Sequence, residues 1–319
     1  MSRRVLLLAT KDTIAYGAGS VATGEELLAA AAAAVTDVAV EDVFAEPGWD
    51  TTPASMAAVA RRVRRALGEE GFGGVVVTHG TDTLEEAAYL ADLVAGAAAR
   101  RGAIVFTGAS RQLDAPDSDG PGNLAAALAA AADPALAGLG AVACVDGRLH
   151  AARWVRQVAT DGPGAFTSAP HPPLGHVRAG RIDLTAAPPP RPPSPRGEAE
   201  TNVALLKVYP GIEANLLTAV SDAGARGVVL EGTGRYNVPV PLLGSIAELV
   251  AGGVPVVIAS RAHVRGEPVA PEGLAGSVGA IMAGGLPPGK AFAALMVALG
   301  SEGGVRAARE YFERLGEYD

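Results

Sequence analysis

The sequence is poor in cysteine and in aromatic residues, but it does not lack material for a core. A single cysteine among 319 residues excludes an internal disulfide framework and a cysteine-based metal cluster. That residue, Cys144, lies in an apolar run, which predicts a buried structural thiol rather than a nucleophile. Aromatic residues make up 4% of the chain and apolar residues 49%, so alanine, valine and leucine should fill most of the interior.

The chain also lacks an excess of positive charge. Its 26 lysines and arginines are outnumbered by 34 aspartates and glutamates, giving a formal net charge of −8. A surface without a basic field does not attract phosphates, so nucleic acid and anionic membranes are disfavoured as partners. A small molecule or another protein chain is the expected partner.

No apolar run is long enough to cross a bilayer or to form the core of a secretion signal. The first run covers residues 5–9 and ends at a polar stretch, and the alanine-rich residues 27–35 are bounded by charges. The first run has the length of a buried strand, and the second is too short to span a membrane. We therefore expect a cytoplasmic protein.

Short β-branched runs alternate with longer segments of alanine, leucine and arginine. This alternation is typical of a parallel sheet covered by helices on both faces. The fold class predicted is α/β, with a larger N-terminal domain whose mainly parallel sheet is flanked by helices, and a smaller C-terminal α/β domain. In the first domain the predicted strands are residues 5–8, 75–78, 104–107 and 142–145, and the helices residues 53–67, 84–93 and 124–132.

Dense proline marks a boundary near the middle of the chain. Residues 185–202 contain a run in which proline forbids both helix and central strand, so we interpret them as an interdomain linker; a proline-recognition motif is the alternative. The predicted domains are residues 1–184 and 203–319. In the second, the expected strands are residues 203–209, 228–231 and 254–259, and the helices residues 212–223, 242–251 and 290–299.

Two threonine-rich turns follow the first two predicted strands. Thr13 comes after the first strand, while Thr81, Asp82 and Thr83 come after the second. Functional groups of open α/β sheets lie at the carboxyl ends of strands, where a hydroxyl beside a carboxylate can attack a substrate or orient an amine. Capping of the following helix by Thr81 or Thr83 is the alternative, and spacing alone favours it.

The motif His-Gly-Thr-Asp-Thr at residues 79–83 resembles the signature of bacterial L-asparaginases, an asparaginase/glutaminase-like family, here of actinobacterial type. Nearly the whole chain follows the family in order. Similar segments are residues 13–15, 49–53, 106–109, 117–121, 146–153, 209–211, 231–239 and 255–261. The resemblance implies a two-domain α/β hydrolase acting on a side-chain amide, converting L-asparagine to L-aspartate and ammonia.

The resemblance also implies roles for individual residues. Thr13 would attack the amide carbon and form an acyl-enzyme that water hydrolyses. Asp82 would bind the substrate amine, Thr81 would hold the oxyanion within a polar relay, and Tyr16 would be the lid tyrosine. Further substrate contacts are implied for Gly48, Trp49, Asp50, Gly80, Ala109 and Asn237.

The family's asparagine that corresponds to Asn237 reaches the site of a neighbouring subunit, so the resemblance implies a homodimer or homotetramer. No cofactor is implied. The histidines are scattered without metal-ligand spacing, which disfavours a metal site, and His79 is expected to be a structural hydrogen-bonding residue.

Four departures from the family pattern fall on the chemistry. Lys11 and Asp12 replace two glycines before the nucleophile, and Gln157 stands at the position of the relay lysine. Gly48 replaces a small polar residue that serves the substrate's α-carboxylate, and Ser110 stands where the family has methionine. Loop geometry, base catalysis and selectivity for free asparagine are therefore all altered.

Among these departures, the replacement of the relay lysine by Gln157 has the largest consequence for catalysis. Glutamine at 157 cannot take up a proton at neutral pH, and the guanidinium of Arg156 stays protonated. Lys11 could replace the base if its ammonium were desolvated near Thr13, whereas a solvated lysine at a loop tip is the alternative. Loss of a general base lowers rates by about 10²–10⁴-fold.

Three functional hypotheses remain. The leading one is an asparaginase-type amidohydrolase. The second is a catalytically impaired asparaginase-like protein that binds a small ligand or a partner. The third is a related amide-processing enzyme of specialised metabolism, whose altered loop accommodates a bulkier substrate.

Overall fold

The protein divides into two compact units. The structure, a computed structural model, describes residues 3–44, 47–191, 197–262 and 273–316. The first unit is Met1–Arg191 and the second is Pro192–Asp319. The division falls within the segment that the sequence marks as a linker, of which residues 192–196 lie outside the described residues.

A large, mainly parallel sheet forms the centre of the first unit. Its order is β12-β11-β8-β7-β6-β5-β1-β4, where the strands along the chain are β1 (Val5–Thr10), β2 (Tyr16–Gly17), β3 (Ser20–Val21), β4 (Val38–Phe44), β5 (Gly74–Thr78), β6 (Ala103–Thr107), β7 (Ala141–Val145), β8 (Arg148–Ala151), β9 (Arg156–Gln157), β10 (Phe166–Thr167), β11 (Gly175–Arg178) and β12 (Arg181–Leu184). The five strands from β7 to β4 run parallel. The strands β8, β11 and β12 extend the sheet by antiparallel pairs.

Helices cover both faces of this sheet, and local sequence signals fix where two of them begin. They are α1 (Gly24–Ala31), α2 (Pro53–Gly68), α3 (Leu84–Ala95) and α4 (Gly120–Ala132). A capping box starts α1, in which Thr23 and Glu26 exchange hydrogen bonds. The same arrangement between Thr52 and Ser55, with Pro53 in the first turn, starts α2. Since α1 packs on α4 and α2 on α3, each face of the sheet is covered by a helix pair.

The core of the first unit is made of small and branched aliphatic side chains, as the composition predicts. Leu7, Val76 and Val105 of the central strands pack in one cluster with Leu128 of α4. Cys144 belongs to the same cluster and is fully buried. Burial raises the pKa of its thiol to about 12, so no thiolate forms at neutral pH and the structural role is confirmed.

The order of strands creates a switch point between β1 and β5. The chain leaves β1, pairs β4 with one edge of it, and then crosses to place β5 on the other edge. Adjoining loops therefore diverge at the carboxyl ends of β1 and β5, where ligands bind in folds of this type. The two strand ends are tied together, because Thr78 Oγ1 accepts from Thr10 N at 3.0 Å and donates to Thr10 O at 3.1 Å.

The second unit is a smaller α/β layer. Its parallel sheet has the order β13-β14-β15-β16, with β13 (Val203–Lys207), β14 (Gly227–Gly232), β15 (Val256–Ser260) and β16 (Ile281–Met282). The helices are α5 (Asn215–Asp222), α6 (Leu242–Ala251), α7 (Leu274–Ser277), α8 (Pro288–Ala298) and α9 (Gly304–Gly316). Across the part of the chain that the structure describes, no helix combines the length and apolar character needed to cross a bilayer.

The predicted α/β fold class is confirmed, with the larger unit first. Central strands and their helices match the sequence pattern to within a few residues, and α6 matches it at both ends. The pattern does not predict β4 or the antiparallel strands β8, β11 and β12. The strands β8, β11 and β12 have only four residues each, and all four strands mix charged with apolar residues because one face is partly solvated.

Residues 185–191 pack on the first unit, although the sequence assigns them to a linker. The N–H groups of Thr185 and Ala186 both donate to Leu174 O, at 2.8 and 3.2 Å. The guanidinium of Arg191 forms an ion pair with the buried carboxylate of Asp92, which also accepts from Ala141 N at 2.7 Å. Proline excludes regular structure here, but it does not exclude docking by side chains and edge hydrogen bonds.

We expect Asp92→Ala to lower the free energy of unfolding by about 2–4 kcal/mol, because it leaves a partly buried guanidinium and a buried N–H without their acceptor. The matched control is Arg306→Ala, which breaks the exposed ion pair with Glu310 and should cost less than about 0.5 kcal/mol. Urea denaturation of the two variants measures the difference. Equal losses would contradict a structural role for the Asp92–Arg191 pair.

Candidate active site

The predicted site residues of the first unit gather at the carboxyl ends of its parallel strands. The segment 11–16 follows β1, residues 48–50 follow β4, residues 79–83 follow β5 and residues 108–111 follow β6. Parallel strands bring these four segments to one edge of the sheet. Hydrogen bonds join several of these segments to one another.

Asp12 is the residue that joins three of the segments. Its side chain is buried, with 3% of the residue exposed. The Oδ1 atom accepts from Thr13 N at 2.5 Å, and Oδ2 accepts from Gly48 N. A Cβ atom built on Gly80 would lie 2.7 Å from Asp12 Cγ and 2.7 Å from Gly48 Cα. The carboxylate thus fills the gap between two glycines that have no room for side chains.

Thr13 begins a tight turn that leads into the β2–β3 hairpin. The N–H groups of Ala15 and Tyr16 donate to Asp12 O at 2.6 and 3.1 Å, which holds the turn closed. Thr13 is partly buried, and within the described ranges its hydroxyl has no hydrogen-bond partner. The hairpin itself is anchored where Leu113 N donates to Tyr16 O at 2.7 Å.

The electrostatic environment of Tyr16 keeps its phenol protonated. Burial raises the pKa of Tyr16, and the negative charges of Asp12 and Asp50 raise it further. At neutral pH this phenol can donate a hydrogen bond but cannot take up a proton. The same effect shows that both carboxylates lie within electrostatic reach of the tyrosine.

The loop after β5 holds Thr81, Asp82 and Thr83. The Thr83 hydroxyl donates to Gly48 O at 2.9 Å, and the Thr83 side chain makes no capping hydrogen bond to the first turn of α3. Capping by a threonine, the alternative favoured by spacing, is therefore wrong for this helix, because Thr83 fastens the neighbouring loop instead. Thr81 is partly buried and its methyl lies beside Gly108, while Asp82 is exposed.

His79 lies beneath this loop in the role expected from the sequence. Its ring is buried, and Nδ1 lies 3.0 Å from Gly80 O. Burial lowers the pKa of His79 more than the Gly80 carbonyl and the charge of Asp12 raise it. The imidazole is therefore neutral at physiological pH.

Asp119 and Asn123 organise the loop after β6, a role that the motif resemblance did not assign to them. The Asp119 carboxylate accepts from the N–H groups of Ser110, at 3.0 and 3.1 Å, and of Arg111, at 2.9 Å. Asn123 donates to Gly108 O at 3.0 Å. The available signal was the spacing of an aspartate and an asparagine four residues apart at a helix start, which places both side chains on one face.

Ala109 lies within this loop and is buried. A Cβ atom on Gly120 would lie 3.4 Å from the Ala109 Cβ and 3.0 Å from Ile14 Cγ1. Ala109 and Ile14 belong to the same hydrophobic cluster, so the loop after β6 packs against both the start of α4 and the segment after β1.

Gln157 lies on a short hairpin that follows β8. It pairs with Phe166 of β10 and is partly buried. Among the described residues, no hydrogen bond links the Gln157 side chain to Thr13, Thr81 or Asp82.

Lys11 follows β1 directly and is partly buried. The backbone N–H and hydroxyl of Thr23 lower the pKa of Glu26, and the positive charge of Lys11 makes the smallest contribution to that shift. Among the described residues, no hydrogen bond joins the Lys11 side chain to the Thr13 hydroxyl.

The remaining predicted residues differ in location, and Trp49 and Asn237 are exposed. Trp49 and Asp50 follow Gly48 in a single 3₁₀ turn, and the Trp49 side chain is 62% exposed. Asn237 belongs to the second unit, where it is exposed and forms a two-hydrogen-bond bridge with Thr233, at 2.8 and 2.9 Å. No group of metal-ligating side chains suited to an ion occurs among the residues described.

Comparison with known families gives matches along both units. The family model described as "Asparaginase, N-terminal" matches residues 4–190. The model described as "Glutaminase/Asparaginase C-terminal domain" matches residues 202–312.

Individual proteins are also similar to this chain in sequence. The chain is 36% identical over 229 residues to a probable L-asparaginase of Deinococcus radiodurans, covering 69% of this chain and 66% of that protein. It is 33% identical over 287 residues to one of the subunits of the glutamyl-tRNA(Gln) amidotransferase of Methanopyrus kandleri, covering 81% and 61%. The match thus spans less than two thirds of the length of each of these relatives.

A solved structure shares the fold over nearly the full length. The chain superposes on a crystal structure described as a probable cytoplasmic L-asparaginase from Campylobacter jejuni with a TM-score of 0.86. The two are 26% identical, and the match covers 98% of this chain and 99% of the other.

We expect Gly80→Ala to destabilise the fold by about 2–4 kcal/mol, because the added methyl would overlap the Asp12 carboxylate and the Gly48 backbone. Gly122→Ala is the matched control. Its added Cβ would meet nothing within 4 Å and lies within a helix, so it should be neutral or stabilising by up to about 1 kcal/mol. Thermal melts of both variants measure the contrast, and a Gly80→Ala protein as stable as wild type would refute the close packing.

Proposed function

The chain belongs to the asparaginase family, and on this premise we propose that it is an amidohydrolase that cleaves a side-chain amide with Thr13 as nucleophile. The observation that carries the proposal is the position of the Thr13 hydroxyl. It lies at the carboxyl end of β1, at the switch point of the sheet, and it is partly exposed without a hydrogen-bond partner among the described residues.

The proposed reaction has two steps. Thr13 Oγ1 forms a bond to the amide carbon, the carbon–nitrogen bond breaks, and ammonia leaves with the proton given up by the hydroxyl. Water then attacks the ester, releases the carboxylic acid product and restores the hydroxyl. Thr81 and backbone N–H groups at the start of α3 would hold the oxyanion formed in each step.

Asp82 is proposed to bind the amine of the substrate. It is exposed beside Thr81, so its carboxylate can reach an ammonium without first losing a protein partner. Tyr16 would close over the bound substrate as a hydrogen-bond donor, since its phenol stays protonated. Gly48, Trp49, Asp50, Gly80 and Ala109 would surround the ligand mainly through backbone groups.

The residues expected to accept the proton of the Thr13 hydroxyl are poorly suited to that role. Gln157 has no basic atom, no hydrogen bond joins Lys11 to the Thr13 hydroxyl among the described residues, and the Tyr16 phenol is protonated. We therefore propose a slow enzyme in which water or a substrate amine carries the proton. A catalytically impaired protein that binds an amide ligand is the second candidate, and Gln157 is the observation that favours it.

We further propose that the protein works in the cytoplasm as a homodimer or homotetramer, with Asn237 of one protomer completing the site of another. The exposure of Asn237 in the second unit supports this arrangement. Some relatives are components of a tRNA-dependent amidotransferase, but the net charge of −8 disfavours RNA as a partner here.

We expect Thr13→Ala to abolish ammonia release from side-chain amides, because it removes the attacking oxygen. Thr13→Ser should retain part of the activity, since it keeps the hydroxyl. The measurement is ammonia production from L-asparagine, L-glutamine and a panel of larger amides, with Thr201→Ala as a control at a threonine outside the site. Full activity of Thr13→Ala would refute the assignment of the nucleophile.

Restoring a base should accelerate the reaction. We expect Gln157→Lys to raise kcat by about 10²–10⁴-fold if the rest of the relay is intact. The control Gln112→Lys adds the same charge at an exposed loop position and should leave kcat unchanged. An unchanged kcat in Gln157→Lys would show that position 157 does not limit the reaction.

A further inference from the structure

The candidate site contains a carboxylate of its own at the place closest to the nucleophile. Asp12 precedes Thr13 directly, and its oxygens accept from Thr13 N and Gly48 N. It is buried between Gly48 and Gly80. Two N–H donors of the site are therefore already occupied by a negatively charged group of the protein.

A ligand carboxylate would compete with Asp12 for these donors. It would also meet the charge of Asp50, since Asp12 and Asp50 together act on Tyr16. Like charges repel each other, and the repulsion is strongest next to a buried charge such as that of Asp12. The environment around Thr13 is thus unfavourable for an anionic substrate group.

No cation on the same loops contacts Asp12 in the described part of the chain. Arg111 forms an ion pair with Asp117, with 3.3 Å between Nε and Oδ2. No hydrogen bond or ion pair joins Lys11 to the Asp12 carboxylate, whose hydrogen bonds come from the N–H groups of Thr13 and Gly48. The charge of Asp12 is therefore not neutralised by direct contact with either cation.

The size of free asparagine makes the conflict unavoidable. Only two carbon atoms separate its side-chain amide carbon from its α-carboxylate carbon. Any pose that brings the amide to Thr13 Oγ1 therefore keeps the α-carboxylate close to the residue that adjoins Thr13. A substrate whose carboxylate is capped, or replaced by a cationic group, has no such conflict.

We propose that Asp12 determines substrate specificity by excluding amides that carry a free α-carboxylate, so that the site takes side-chain amides whose other end is neutral or cationic. This inference rests on the proposed amidohydrolase function. Its chemical class of substrate is an asparagine or related amide with its carboxyl group in amide linkage, as in a peptide or a conjugate.

The test compares L-asparagine with its α-N-methylamide, from which ammonia can come only by cleavage of the side-chain amide. We expect the wild-type protein to show a kcat/KM at least about tenfold higher for the capped compound. Asp12→Asn and Asp12→Gly should reduce that ratio toward one, because both remove the charge. Glu69→Gln removes an exposed charge at the opposite end of α2 and should leave the ratio unchanged.

A wild-type preference for L-asparagine would overturn the proposal even if the Asp12 variants fail to fold. A ratio that is the same in folded Asp12 variants would also overturn it. If neither compound yields ammonia, the amidohydrolase function fails, and calorimetric titration with the same two compounds decides the inference separately. Tighter binding of the capped compound, lost in Asp12→Asn, would support the role of Asp12, whereas equal affinities or no binding of either would refute it.

Discussion

A buried carboxylate between two glycines holds together the loops that follow β1, β4 and β5. Asp12 can occupy this position because Gly48 and Gly80 leave the space that a side chain would take. The Asp12 carboxylate accepts hydrogen bonds from the N–H groups of Thr13 and Gly48, which would otherwise be unpaired in a closed loop. Thr83 strengthens the same junction by donating to Gly48 O. The geometry of the site therefore depends on one charged group and on the absence of two side chains.

The same interaction links two sequence departures that look independent. By its resemblance to the family, the chain is expected to depart from the pattern at the aspartate before Thr13 and at the glycine at position 48, and the structure brings these two residues into direct hydrogen-bond contact. Asp12 thereby occupies the N–H groups of Thr13 and Gly48. An acidic loop favours a different ligand from an uncharged one, since binding groups must complement the charge that is already present.

As a result, the candidate site holds some of the groups that amide hydrolysis requires and lacks others. The proposed nucleophile, Thr13, lies at the switch point of the sheet, and the Asp119–Asn123 network fixes the loop after β6, but the position of the expected relay base holds Gln157, which has no basic atom. A preorganised site without a base can still stabilise an oxyanion. This combination is consistent with family membership and with a reaction that differs in rate or substrate from that of its relatives.

The sequence by itself determined the α/β class, the buried central strands, the helices that follow them and the segments that carry the site. It could do so because burial on both faces produces continuous apolar runs, and because the motif at residues 79–83 is specific. Only the tertiary structure decided that Thr83 binds the neighbouring loop instead of capping α3, that residues 185–191 dock on the first unit, and that Asp12 turns inward. These outcomes depend on contacts between residues that are far apart in the chain. Asp12 and Gly48, for example, are separated by 36 positions. Local propensity carries no information about which distant donors a polar side chain will meet.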